Sequence, residues 1–176
     1  AIEKISAETI IILPNNKNVI MAAEQARDLA AKEVMVLPSR CMVQGINALV
    51  GLLPGEEPQG NYIRMQAAME EVAYGKITSA VRDSSVKGLK INKGDFMVLA
   101  ADELVAADPD LKVAIEKLIA CMAPAGAELV TLYFGSALTE AEAHGIKGYI
   151  EGIFSDLEVE LHYGGQPVYH FLVSVE

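Results

Sequence analysis

Thr9-Ile-Ile-Ile-Leu-Pro-Asn-Asn-Lys-Asn18 decides the fold class. The apolar run from Thr9 to Leu13 has no polar alternation, as in a strand buried on both faces of a parallel sheet. Pro14 stops it. Asn18 is then expected to cap a helix running to about Lys32, with Val19, Ala22, Ala26 and Leu29 facing inward. Val34 to Leu37 forms the next strand, ended by Pro38. This β-α-β order implies a parallel pair with a right-handed crossover.

Outward from that core, helices are expected over Val43 to Leu53 and from an Asn61 cap to a stop at Gly75. The breaker-rich stretch Pro54 to Gly60 separates them. Lys76 to Asp83 and Phe96 to Ala101 are strands of a small antiparallel meander with a turn at Asn92-Lys-Gly-Asp95. Pro109 starts a further helix, Glu128 to Phe134 is a strand, and Thr139 with Glu142 forms a capping box. Gly145, Gly148 and Gly152 share one side of that helix. Each costs about 1 kcal/mol relative to alanine, which predicts close packing against another backbone, with a merely weak helix as the alternative. Leu157 to Tyr163 and Val168 to Val175 read as a closing hairpin around Gly164-Gly-Gln-Pro167. The fold class is therefore α/β: a mainly parallel lobe with an antiparallel meander over residues 1–107, and a smaller α/β lobe over 108–176. The expected sheets are a parallel one through Thr9, Val34 and Ile77, and a second one of the last three strands.

The chain has 176 residues, 52% of them hydrophobic, and a formal charge of −10. That supports a substantial core and excludes disorder. The negative sign argues against nucleic acid and anionic lipid as partners. No apolar run approaches the roughly 20 residues of a membrane span, and no signal peptide is legible. Ala1 in place of Met points to sequence upstream. Cys41 and Cys121 form no paired motif, so a disulfide framework and a zinc site are not expected, and the compartment reads as a reducing cytoplasm.

Pro14-Asn-Asn-Lys-Asn18 lies between a strand end and a helix start, where open α/β sheets bind ligands. Asn15, Asn16 and Lys17 supply donors there for an anion; the alternative is that the asparagines only cap and turn. Ser39, Arg40 and Gln44 occupy the equivalent junction after the next strand and would face the same crevice. Arg82 is a further anion candidate, although a structural pair with Asp83 is the simpler reading. His162-Tyr-Gly-Gly-Gln-Pro-Val-Tyr169 concentrates an imidazole, two phenols and an amide. As structure it is a hairpin; as function His162, Tyr163, Gln166 and Tyr169 form a recognition surface. His144 and His170 have no evident partner and read as structural. No phosphate-cradling loop, nucleophile elbow or metal-spaced cluster is present, and no catalytic residue is assigned.

The strings IILPNNKNVIMAAEQA, VMVLPSR, QGINAL, ITSAVRDS, INKGDF and VELHYGGQPVYHFLVSVE closely resemble the carboxy-terminal region of the bacterial fatty acid kinase subunit family, whose amino-terminal domain is dihydroxyacetone-kinase-like. The resemblance implies a two-lobed fold shared with DegV proteins. It implies that ATP and Mg²⁺ belong only to the nucleotide domain, which this chain lacks. It also implies two partners, a DegV-type fatty-acid-binding protein and the rest of the kinase chain, and an acyl phosphate product of the full-length kinase; it leaves a homodimer open. Ser39-Arg40 stands where the family commonly has Thr-Lys, and Phe134-Gly-Ser-Ala137 where it has an acidic turn. A small-ligand domain for a lipid or a phosphate is the alternative reading.

Overall fold

The apolar run at the start of the chain forms β1 (Thr9–Ile12), which pairs in parallel with β2 (Glu33–Val36), Thr9 opposite Glu33 and Ile12 opposite Val36. Between them lies α1 (Lys17–Asp28). The computed structural model describes residues 1–124 and 126–176, which divide into two compact units, Ala1–Val72 and Ala73–Glu176.

In the first unit, Asn16 rather than Asn18 caps α1. Its side chain accepts the Asn18 amide, so the helix begins one residue earlier and ends at Asp28. The inward stripe is also rotated from the expected one. Ala23 is buried, whereas Val19 and Leu29 are 45% and 88% exposed. A two-stranded sheet is narrow and covers only one strip of the helix. The core joins Leu37 and Ala48 with Met65 and Met69, the last two from α3 (Pro58–Glu71). Here α2 (Met42–Val50) is shorter than expected. Asn61 does not cap α3. Pro58 occupies the first turn, where a missing amide is harmless, and the buried Asn61 side chain instead binds the amide and carbonyl of Leu53.

The second unit holds β3 (Ala73–Ser79), β4 (Ser84–Val86), β5 (Leu89–Ile91), β6 (Phe96–Ala100), β7 (Glu103–Asp108), α4 (Leu111–Met122), β8 (Leu129–Phe134), α5 (Glu140–Ile153), β9 (Glu158–Tyr163) and β10 (Phe171–Val175). Six strands form one sheet in the order β7-β6-β3-β10-β8-β9; only β8 and β9 are parallel. Helices α4 and α5 supply Ile115, Leu118, Ile119, Ile146 and Ile150 to its core. An added Cβ on Gly75 would lie 2.5 Å from Leu118, so glycine lets α4 approach β3.

The α/β class with an antiparallel meander is as read from the sequence, but the strand partners are not. Ile77 sits in β3, which pairs antiparallel with β6 and β10, not in the parallel pair. The division falls at 72/73 instead of 107/108, because the meander is built onto the carboxy-terminal strands. The closing hairpin does not exist, since β9 and β10 both pair with β8 and not with each other. Every residue of β10 is buried, so this strand needs a neighbour on each side and takes the centre. The close packing expected at Gly145, Gly148 and Gly152 is absent too: each faces open space. The Thr139–Glu142 capping box is present.

Candidate functional site

In the first unit the two strand-end junctions do meet. The Asn15 amide donates to Ser39 Oγ at 3.0 Å, and the Ser39 hydroxyl donates to Asn15 Oδ1 at 2.9 Å. Asn15 takes a left-handed φ of 55°, which asparagine tolerates. Gly45 makes room for it, because an added Cβ would sit 2.2 Å from Asn15 Oδ1. Ser39 is fully buried. Gln44 Oε1 accepts the Arg40 amide at 2.8 Å. Asn16 is used as the helix cap, and Lys17 is exposed beside it. Arg82 is exposed in the other unit, and its expected partner Asp83 accepts the Lys93 amide instead. The junction is thus a closed clasp between two strand ends.

The first unit also carries an apolar cleft of about 570 Å³, walled by Ile2, Ile12, Val19, Ala22, Ala26 and Leu29. The helix face expected to be inner lines this cleft.

In the second unit the His162–Tyr169 string is a crossover, not a hairpin tip, and its members part company. Gln166 turns inward: Nε2 donates to the Tyr133 carbonyl at 2.7 Å, and its own carbonyl accepts the Ser136 amide at 3.0 Å. Its Oε1 is buried without a partner. Gly135 fits beneath, where a Cβ would come within 2.2 Å of the Tyr169 carbonyl. The Tyr169 ring lies 5.9 Å from Lys76 Nζ, which forms a buried ion pair with Asp102 at 3.0 Å. His162 stacks near Tyr133 at 5.7 Å and lies 3.1 Å from Glu160.

Tyr163 alone among the four projects freely, 67% exposed, with its ring 5.2 Å from that of Phe134. Beside it is a depression of about 460 Å³ lined by Phe134, Leu138, Glu140, His144, Leu161 and Tyr163. Glu142 nearby is held below the ordinary carboxylate pKa by its hydrogen bonds from Thr139. His170 does have a partner, contrary to the sequence reading. Its Nε2 lies 2.8 Å from Ser79 Oγ and its ring meets Phe96 edge-on at 5.1 Å. Burial pushes its pKa down.

Sequence reasoning missed the Lys76–Asp102 pair, the Ser79–His170 contact and the wall of Phe134, Leu138 and Leu161. A lysine inside an apolar strand was the one available signal, since a buried ammonium requires a partner. Among the described residues no cluster of three His, Cys, Asp or Glu is placed to hold a metal, and no helix is long and apolar enough to cross a membrane.

Residues 1–176 match the model of the FakA-like C-terminal family, described as the C-terminal part of fatty acid kinase A-like subunits. Protein YloV of Bacillus subtilis is 34% identical over 176 residues, covering 100% of this chain and 32% of that protein. A Staphylococcus epidermidis protein is 37% identical over 175 residues, again covering 32% of its length. The chain thus spans about a third of the length of the curated relatives it matches. Among solved structures, a Thermus thermophilus DegV family protein described for its fatty acid binding superposes with a TM-score of 0.61, at 14% identity, over 96% of this chain and 71% of that one. The fatty acid kinase B3 protein of Streptococcus pneumoniae, loaded with linoleic acid, gives 0.58 at 14% identity over 97% and 72%. These likenesses establish the fold.

Proposed function

The chain belongs to the FakA-like C-terminal family of fatty acid kinases, and from that premise we propose that it docks an acyl-carrying DegV-type protein for the kinase of which it is part. In this reading ATP and Mg²⁺ are held by a separate nucleotide domain. The acyl group arrives on the carrier, and the full-length cytoplasmic kinase forms an acyl phosphate. By itself the domain neither binds nor hydrolyses ATP, because its sequence has no phosphate-cradling loop. Micromolar binding of Mg-ATP in calorimetry would contradict this.

The observation that carries the docking reading is where uncommitted surface lies. In the Asn15–Ser39 clasp the polar groups bond each other. At the end of β9 an aromatic ring stands out beside an apolar depression with acidic and imidazole groups at its rim. Exposed aromatics lose few torsions on binding and often form interface centres. The test is interferometry of this domain against an acyl-loaded DegV-type carrier. Tyr163→Ala should weaken binding about tenfold, or ~1.4 kcal/mol, without lowering the melting temperature. Failure of the wild-type domain to bind the carrier sinks the reading.

A second reading rests on the α1 cleft, whose walls are mainly apolar and whose volume suits an acyl chain. It makes the domain a lipid binder in its own right. A fluorescent fatty acid that binds the wild type but not Leu29→Glu or Val19→Glu would favour it.

A further inference from the structure

Strand β9 ends the six-stranded sheet, and its backbone is half used. The Glu158 amide donates to the Glu128 carbonyl at 2.8 Å, and the Gly164 amide to the Phe134 carbonyl at 2.9 Å. Even-numbered residues therefore turn their amides toward the strand's one neighbour. By alternation, Val159, Leu161 and Tyr163 direct their N–H and C=O groups away from the sheet. The same three residues place their side chains on the α5 face, where Val159 is buried, Leu161 packs against the core, and Leu161 with Tyr163 lines the depression. Glu158, Glu160 and His162 take the opposite face, with Glu158 and Glu160 exposed.

We propose that the outer edge of β9 accepts an extended segment of a partner protein by strand addition, a segment in which apolar side chains alternate with lysine or arginine. The pairing follows from the two-residue period of a strand. Backbone groups of the incoming chain would meet those of Val159, Leu161 and Tyr163. One set of its side chains would lie over the Phe134, Leu138 and Tyr163 depression, and the other beside Glu158 and Glu160. A second copy of this chain is the wrong occupant. Two β9 edges would bring glutamates against glutamates, and like charges across a strand pair repel. Glutamates on an edge do guard against self-association. Guarding does not account for an exposed tyrosine and an apolar depression at the same edge.

That the partner is the acyl-loaded carrier rests on the docking reading above. The probe is the peptide Lys-Val-Lys-Leu-Lys-Val-Lys, compared with the same peptide N-methylated at alternate residues, which keeps its charge and composition but blocks strand pairing. Added to the 176-residue domain, the first should slow amide exchange at Val159, Leu161 and Tyr163, and the methylated form should bind at least tenfold more weakly. A Glu158→Lys/Glu160→Lys variant, both positions exposed, should also bind at least tenfold more weakly at unchanged melting temperature. Equal binding of the methylated peptide, or protection confined to other strands, overturns the proposal. A carrier that binds the domain but is neither displaced by the peptide nor weakened by the double variant leaves docking intact and removes it from β9. A carrier that does not bind at all ends the docking reading, while peptide protection at β9 would still support a strand-accepting edge.

Discussion

The loop after β1 and the loop before β10 carry similar polar side chains and use them alike, yet only one leaves a binding surface beside it. At Asn15 and Ser39 a donor and an acceptor on each side satisfy one another, and Gly45 closes the space beneath. At Gln166 an amide is committed to the Tyr133 carbonyl, and Gly135 closes the space beneath. The difference is Tyr163, three residues before that amide, which stays outside with an open strand edge. A polar side chain near a strand end is as readily the lock of a loop as the hand of a binding site, and its hydrogen-bond partners tell which.

The sharpest way to separate the two locks is to crowd them. Gly135→Ala would drive a Cβ within 2.2 Å of the Tyr169 carbonyl and 2.6 Å of the Gln166 carbonyl, both backbone atoms that cannot swing aside. Destabilisation of about 3 kcal/mol is expected, roughly 6–12 °C in melting temperature for a chain of this length. Gly45→Ala meets the end of the Asn15 side chain, which can move at the loss of its bond from Ser39. About 1 kcal/mol should suffice there. Thermal melts of the two variants showing equal losses would erase the distinction.

Removing the polar groups is the next test. Gln166→Ala should cost about 1–2 kcal/mol, because the Tyr133 carbonyl loses its donor; removal of the unpartnered Oε1 offsets part of the loss. Ser39→Ala should cost about 1 kcal/mol, since water can reach the exposed Asn15 once the hydroxyl is gone. Urea titration of both variants measures the difference. A Gln166→Ala protein of full stability would return Gln166 to the recognition surface where the sequence had put it.

How far the sequence could be read follows from the range of each interaction. The β1-α1-β2 order, the meander turn and the Thr139–Glu142 box depend on neighbours a few residues apart, and all are legible. The partner of β10 is not, because Phe171 pairs with both Ile77 and Phe134, 94 and 37 residues away in numbering. A glycine-rich stretch between two strands looks the same whether it turns a hairpin or crosses over an intervening strand. For the site, Asn15 and Ser39 were correctly brought together, but one string cannot show that each consumes the other's bonding capacity. Likewise Tyr163 was legible as a candidate surface residue while Gln166, in the same string, was not legible as buried.

His170 provides the smallest and most specific test, since it ties the loop before β10 to β3 through Ser79. Burial disfavours its charged form, so its pKa in the folded chain lies below the ordinary 6.5. When the pH falls beneath about 6.5, the unfolded chain binds a proton that the folded chain resists, and folded stability drops. The contribution is complete above 6.5 and is lost as the pH falls toward and through the folded value. Asp108 and Glu142, whose pKa values lie below the ordinary 3.8 and 4.5, lose their contributions only in a more acidic range. The step between pH 7.5 and 5 is therefore the histidine's window. His170→Gln places an amide near Ser79 that does not titrate, so it should flatten the part of the melting-temperature change that belongs to this residue. An unaltered slope in the variant would show that His170 is solvated in both protonation states and that the loop is held by Gln166 and Gly135 alone.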